Sequence, residues 1–246
     1  MALPPIELER EPQAPQLRDT VAVRPALEEV LGVVASDVAM QAAACVREFG
    51  AFHLALSGGP MIERVCRELM VDPAYRSLPW RDTHVWTLDD AAVEHNDPAS
   101  TYGMLRDLLV GHAGIPREHV HEIAAFRPAA DAEYERALRR GLGGRTRGHD
   151  RLDMALLALD PSGIAGRLQP PHADADDHLV VRLPDAAVTM TPRMLSGSRF
   201  LGVLAIGSGV RGALGVAERG EATPVPELLG GHTRWYVDHD ACADGA

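Results

Sequence analysis

The sequence predicts an α/β fold: an open, mostly parallel twisted sheet with helices on both faces. Three observations carry that expectation. Short apolar runs alternate with stretches of helical periodicity along the chain. One run, Met154-Ala-Leu-Leu-Ala-Leu159, is apolar throughout, as a strand covered on both faces is. A third, His53-Leu-Ala-Leu-Ser57-Gly58-Gly59, passes straight into a helical pattern (Ile62, Val65, Cys66, Leu69), which makes a strand–turn–helix unit. Its glycines permit φ > 0 and close approach of a ligand. The helix start behind them leaves unpaired N–H groups suited to an anion.

In chain order, residues 1–20 carry Pro4, Pro5, Pro12 and Pro15 among charges and read as an extended leader. Residues 21–246 read as one domain without repeats. From Pro25 to Phe49, Leu27, Leu31, Val34, Val38, Ala42 and Cys45 recur at helical spacing, and Gly50 ends the helix. After the strand at 53–56 and its helix, Thr83–Leu88 is a second buried strand closed by Asp89-Asp90. A helix over about 101–112 follows, with Ser100 as N-cap. Val120–Ile123 is a short strand and 129–142 a helix. Residues 154–159, 178–183, 187–191, 200–206 and 235–238 are further strands, with helical turns at 194–198 and 210–218.

Composition narrows the function classes. The 246 residues are 46% hydrophobic and 24% charged with net charge −11, which suits neither nucleic acid nor an anionic membrane as partner. No apolar run reaches about 18 residues and no signal-peptide order opens the chain, so a cytoplasmic location is expected. The three cysteines (Cys45, Cys66, Cys242) are too few and too scattered for a disulfide framework or a zinc pair. All 24 basic residues are arginine, so Schiff-base chemistry, which needs a lysine amine, is excluded. No cofactor and no metal are expected. The run His172-Ala-Asp174-Ala-Asp176-Asp177-His178 offers ligand types at short spacing but reads as a solvated acidic loop.

The order of these pieces resembles the 6-phosphogluconolactonase family, relatives of the glucosamine-6-phosphate isomerases/deaminases. Leu54-Ala-Leu-Ser-Gly-Gly59 is similar to its strand and phosphate loop. Asp89, Asn96-Asp-Pro98, Ser100 and Tyr102-Gly103 resemble its "DER" and "DPxSNYG" segments. Ile115-Pro116 and Val120-His121 with Ile123 are similar to its "IP…NVH.I", and Ala132-Glu-Tyr134 to its "AxxY" helix. Asp153 through Pro170 follows the register of "DLxLLGMGxDGHTASLFP". Thr189-Met-Thr191 and Gly207-Ser-Gly209 through Leu214 follow its last third. The resemblance implies this fold and a lactone hydrolase of the pentose phosphate pathway.

The chemistry positions depart from the pattern. The family histidine proposed to activate water is Ile164 here, and the aspartate beside it is Ser162. The arginine of "DER" is Ala91, its acid Asp90. The hydroxyls after the glycine pair are Pro60 and Met61. The arginine before "TLT" is Ala187, and the lysine of "GxxK" is Val210. Three cationic partners of a phosphate are thus replaced. At about 1.5–3 kcal/mol per charge-assisted hydrogen bond, a phosphosugar would bind more weakly by roughly 4–9 kcal/mol.

Candidate residues for replacement chemistry are Asp89, Asp90 and Asp160 at strand ends, with Ser57, Gly58, Gly59, Arg167 and Arg211 as ligand contacts. His95 and His121 are further acid–base candidates. One reading is an enzyme or binder acting on a non-phosphorylated, sugar-like or lactone-like metabolite. A second is a non-catalytic relative that binds a partner protein, and a third is an active 6-phosphogluconolactonase. An open cleft at Gly58, Asp89 and Asp160 favours a small-molecule site. A cleft plugged by Met61, Ile164 and Val210 favours a scaffold.

Overall fold

The computed structural model describes residues 12–17, 19–143, 150–168, 178–220 and 232–243. The run at 172–177 and residues 1–11 and 18 of the expected leader lie outside the described residues.

Seven strands form one all-parallel sheet: β1 (Thr20–Arg24), β2 (Phe52–Leu56), β3 (Thr83–Thr87), β5 (Val120–His121), β6 (Met154–Ala158), β9 (Phe200–Ala205) and β10 (Thr233–Asp238). Their spatial order is β1-β10-β9-β6-β2-β3-β5. Three short strands, β4 (Asp89–Asp90), β7 (Val180–Arg182) and β8 (Val188–Met190), form a separate antiparallel sheet in the order β4-β8-β7. This second sheet departs from the sequence expectation. The two strands expected near 178–191 make a hairpin, and the hairpin recruits Asp89-Asp90 instead of extending the parallel sheet. The edge strand β1 was likewise not expected, because Thr-Val-Ala-Val-Arg is short and half-exposed.

Alternation along the central strands divides the core into two layers. Leu54, Leu56, Met154, Leu156, Leu204 and Tyr236 face one side, with α1 (Leu27–Phe49) and α2 (Pro60–Val71) packed there. Ala55, Trp86, Ala155, Leu157, Val203, Trp235 and Val237 face the other, against α5 (Ala130–Gly143) and the small sheet. Side chains of successive strand residues point to opposite faces, so a strand with both faces covered must be apolar at every position. Gly202 in β9 has a packing reason: a Cβ there would lie 2.4 Å from Leu156 Cδ2.

Helix α1 ends where Gly50 takes φ 79° and its N–H reaches Val46 O. It is the one helix among the described residues long and apolar enough to cross a membrane by length and composition. Its stripe of Val30, Val34, Val38 and Ala42 is buried on the sheet. The segment Thr101–Ala113 starts as α3 (Thr101–Leu105), runs through a π-helical turn (Arg106–Val110) and closes in α4 (Gly111–Ala113). Short helices α6 (Pro192–Ser196) and α7 (Arg211–Glu218) flank β9. Near the start of the chain, Gln13 N donates to Ala243 O and Pro15 is buried, so residues 12–17 run against the domain.

Candidate functional site

All seven central strands run the same way, so the C-terminal ends of β2, β3, β6 and β9 share one edge. Strand order reverses between β6 and β2, where open α/β sheets leave a crevice. A cleft of about 1060 Å³ opens there. Gly58, Gly59, Pro60 and Met61 enter it from the end of β2, and Asp89 from the end of β3. Asp160, Ile164, Gly166 and Arg167 come from the loop after β6, Ile206 and Val210 from the end of β9. The loop after β2 turns with Gly59 at φ 105°. Gly58 is packed so closely that a Cβ would lie 2.4 Å from Thr101 Oγ1.

Asp89 sits at the centre of this site. Its Oδ1 accepts from Gly58 N at 3.1 Å and its Oδ2 from Arg167 Nε at 3.0 Å. The carboxylate is buried while the arginine is one-third exposed. Burial pushes the Asp89 carboxyl up to about 6, against the opposing pull of Arg167 and the Gly58 N–H. A group with that pKa can accept or release a proton near neutrality. Arg167 takes φ 59°, a left-handed backbone rare for a residue with a side chain, in a turn closed by Leu168 N to Ala165 O at 3.0 Å.

The other two carboxylates hold backbone. Asp90 faces away from the cleft: Oδ1 accepts from Ala91 N and Thr101 N, Oδ2 from Tyr102 N and Ser100 Oγ, at 2.8–3.2 Å. It anchors the first turn of α3 and is outside the cleft lining. Asp160 lines the cleft, and its Oδ1 accepts from Ser162 N, Ser162 Oγ and Ile164 N. That fan of bonds shapes the loop carrying Ile164 and Arg167.

Several expected ligand contacts lie elsewhere. Arg211 is outside the lining, with its Nε donating to Asp240 O at 2.7 Å, because the short helical turn Ser208–Val210 aims it at the C-terminal segment. Ser57 is buried, its Oγ on Gly58 O at 3.3 Å. Ala91, Ser162 and Ala187 are also outside the lining, whereas Pro60, Met61, Ile164 and Val210 are within it. His95 lies against Tyr102 and Phe126, with Nε2 3.2 Å from Ile123 O. Lining residues that escaped the sequence reading include Glu63, Thr101, Met104 and Asp185. Asp185 arrives on the tip of the β7–β8 hairpin, which carried no chemical signal in the sequence. Among the described residues, no group of three or more His, Cys, Asp or Glu side chains is placed to hold a metal ion.

His121, the last residue of β5, belongs to a ladder of rings across β2, β3 and β5 that lies outside the cleft lining. His53 stacks on His84 at 4.3 Å, His84 on His119 at 3.9 Å, and His121 on Trp86 at 3.5 Å. His84 Nδ1 lies 3.1 Å from His121 Nε2, and Trp86 Nε1 donates to His53 Nδ1 at 3.1 Å. Burial first, then the neighbouring imidazoles His84 and His119, push His121 down to about 3. The unfolded chain takes up this proton below about 6.5 and the folded chain does not, so this contribution to stability is lost as pH falls from about 6.5 towards 3. Asp89 acts in the opposite sense, its raised pKa favouring the folded state as pH falls through 6. The histidine effect is therefore read as a difference between proteins. The stability advantage of the unaltered chain over His121→Gln is expected to shrink by about 1–2 kcal/mol between pH 7.5 and pH 5 in urea unfolding. An advantage independent of pH would contradict the assignment.

Relatives with the same architecture are known. A family model described as glucosamine-6-phosphate isomerases/6-phosphogluconolactonase matches residues 25–234. The chain is 26% identical over 230 residues to the GDH/6PGL endoplasmic bifunctional protein of Homo sapiens, covering 87% of this chain and 29% of that protein. It is 25% identical over 210 residues to a 6-phosphogluconolactonase of Aggregatibacter actinomycetemcomitans, covering 77% and 85%. The chain thus spans under a third of the human protein's length and more than four fifths of the bacterial one's. The crystal structure of 6-phosphogluconolactonase from Thermotoga maritima superposes with a TM-score of 0.75 at 22% identity, over 89% of this chain and 99% of that one. The chain belongs to the glucosamine-6-phosphate isomerase/6-phosphogluconolactonase family.

Proposed function

We propose that this chain binds a non-phosphorylated, sugar-like or lactone-like metabolite in the cleft, and that its hydrolysis of 6-phosphogluconolactone is lost or strongly reduced. One observation carries this reading: Met61, Ile164 and Val210 line an open cleft in which, among the described residues, Arg167 is the sole cation and is paired with Asp89. Isoleucine has no lone pair with which to take a proton from water, and valine and methionine offer a phosphate no charge.

What the cleft does offer suits hydroxyl and carbonyl groups. Asp89 accepts or gives a proton near neutrality, Arg167 donates, and the carboxylates of Glu63, Asp160 and Asp185 line the same space. The cleft is open, with Met61, Ile164 and Val210 lining it rather than filling it, and this favours a small-molecule site over a protein scaffold.

A thermal-shift panel of aldonolactones, neutral sugars and amino sugars tests the reading. At least one class is expected to raise Tm, and Arg167→Ala to abolish the rise. Absence of any shift, together with enzymatic hydrolysis of 6-phosphogluconolactone, would return the chain to the ordinary activity of its relatives.

A further inference from the structure

The cleft has two walls of different chemistry. Met61, Ala158 and Ile206 pack against the apolar layer that carries α1 and α2, and they line the cleft together with Ile164 and Val210. The polar wall is the Asp89–Arg167 pair with Asp160. Both walls draw on neighbouring strand ends: Ile206 and Val210 follow β9, Asp160, Ile164 and Arg167 share the loop after β6, Met61 follows β2 and Asp89 follows β3.

The polar wall retains unused bonding capacity. Arg167 donates to Asp89 through Nε, and Asp160 accepts its three bonds through Oδ1. Among the described residues, the Arg167 Nη groups and Asp160 Oδ2 have no partner. A fork of donors and a free carboxylate oxygen match the carbonyl and vicinal hydroxyls of a hydroxylated ring. The apolar wall has no group to replace the hydration of a phosphate or a hydroxyl placed against it.

We infer that the ligand is amphipathic: a hydroxylated lactone or sugar ring held through its oxygens by Arg167 and Asp160, with an alkyl substituent lying against Met61, Ile164 and Val210. This rests on the reading above and narrows it to one ligand class. Burying each methylene on the apolar wall tightens binding about fourfold, whereas a phosphate there is stripped of water without compensation.

Calorimetric titration with a hydrolysis-resistant series tests this, using a polyhydroxylated δ-lactam that carries hydroxymethyl, methyl, propyl or phosphorylated hydroxymethyl at one ring carbon. Propyl is expected to bind about tenfold or more tighter than methyl, and the phosphate weaker than its hydroxymethyl parent. Met61→Lys and Val210→Lys are each expected to reverse the order in favour of the phosphate by at least about tenfold. Met61 is the half-buried position, so its variant reads out even where a lysine at buried Val210 unfolds the chain. A flat or falling alkyl series alongside a binding hydroxymethyl parent overturns the inference and leaves the functional reading standing. Tightest binding by the phosphate overturns the inference, and failure of every member to bind overturns both.

Discussion

Asp90→Ala is expected to lower the unfolding free energy by about 3–5 kcal/mol, a large share of the stability of an ordinary domain. Both carboxylate oxygens are committed: Oδ1 to Ala91 N and Thr101 N, Oδ2 to Tyr102 N and Ser100 Oγ. Truncation leaves the first N–H groups of α3 without partners in a buried place, and each such group costs about 1–3 kcal/mol. Ser100 Oγ in turn accepts from Gly103 N at 3.0 Å, so the loss spreads to the next residue of the turn. Asp90→Asn does not rescue it, because an amide presents one acceptor oxygen where two are used. Asp160→Asn is the contrasting control. Its three bonds converge on Oδ1, which an asparagine also supplies, so it is expected to cost under about 1 kcal/mol. Urea unfolding of the three variants separates these outcomes. Equal small losses would mean that Asp90 does not hold α3.

For hydrolysis of 6-phosphogluconolactone, kcat/KM is expected to fall at least about 10⁵-fold below that of the Aggregatibacter relative. Two independent deficits multiply. Absence of three cationic partners weakens phosphate binding by roughly 4–9 kcal/mol, or three to six powers of ten. Isoleucine at position 164, where the family pattern has the histidine, is expected to cost a further factor of about 10² to 10⁴. Arg167 offsets only part of the first deficit, because its Nη groups can reach a phosphate while its charge is already partly neutralised by the Asp89 carboxylate that its Nε holds. Arg211 offsets none of it from its place on Asp240 O. Continuous proton-release measurements on fresh lactone, corrected for the spontaneous rate, check the magnitude. A rate within tenfold of the relative would mean that another group serves as base.

Most of the parallel sheet was legible because its signal is physical and local. Apolar runs such as 154–159 have no other comfortable place than between two covered layers, and Gly50 and Ser100 mark helix ends by backbone geometry and capping. The antiparallel sheet was not legible: the pairing of Asp89-Asp90 with Val188 and Thr189 joins residues about a hundred apart, and no periodicity encodes that. The site divides in the same way. Gly58, Asp89 and Asp160 could be placed because strand ends of a parallel sheet converge, and Ile164 and Val210 because the family register marks their positions. Whether a carboxylate faces the cleft depends on which N–H groups surround it, and so of the adjacent pair Asp89 lines the cleft while Asp90 does not. Arg167, expected as a ligand contact, does line the cleft, held there by a left-handed turn that its residue type does not announce. Asp185 is there only because the hairpin folds back.

Side-by-side titration of the chain with 6-phosphogluconate and with gluconate puts the phosphate-holding capacity of the cleft to direct measurement. Replacement of the cationic and hydroxyl positions by Pro60, Met61, Ala91, Ala187 and Val210 predicts that the phosphorylated compound binds no more tightly than its unphosphorylated counterpart. A preference for 6-phosphogluconate of about a thousandfold or more would contradict the account, because it would require cations beyond Arg167, the one that lines the cleft among the described residues.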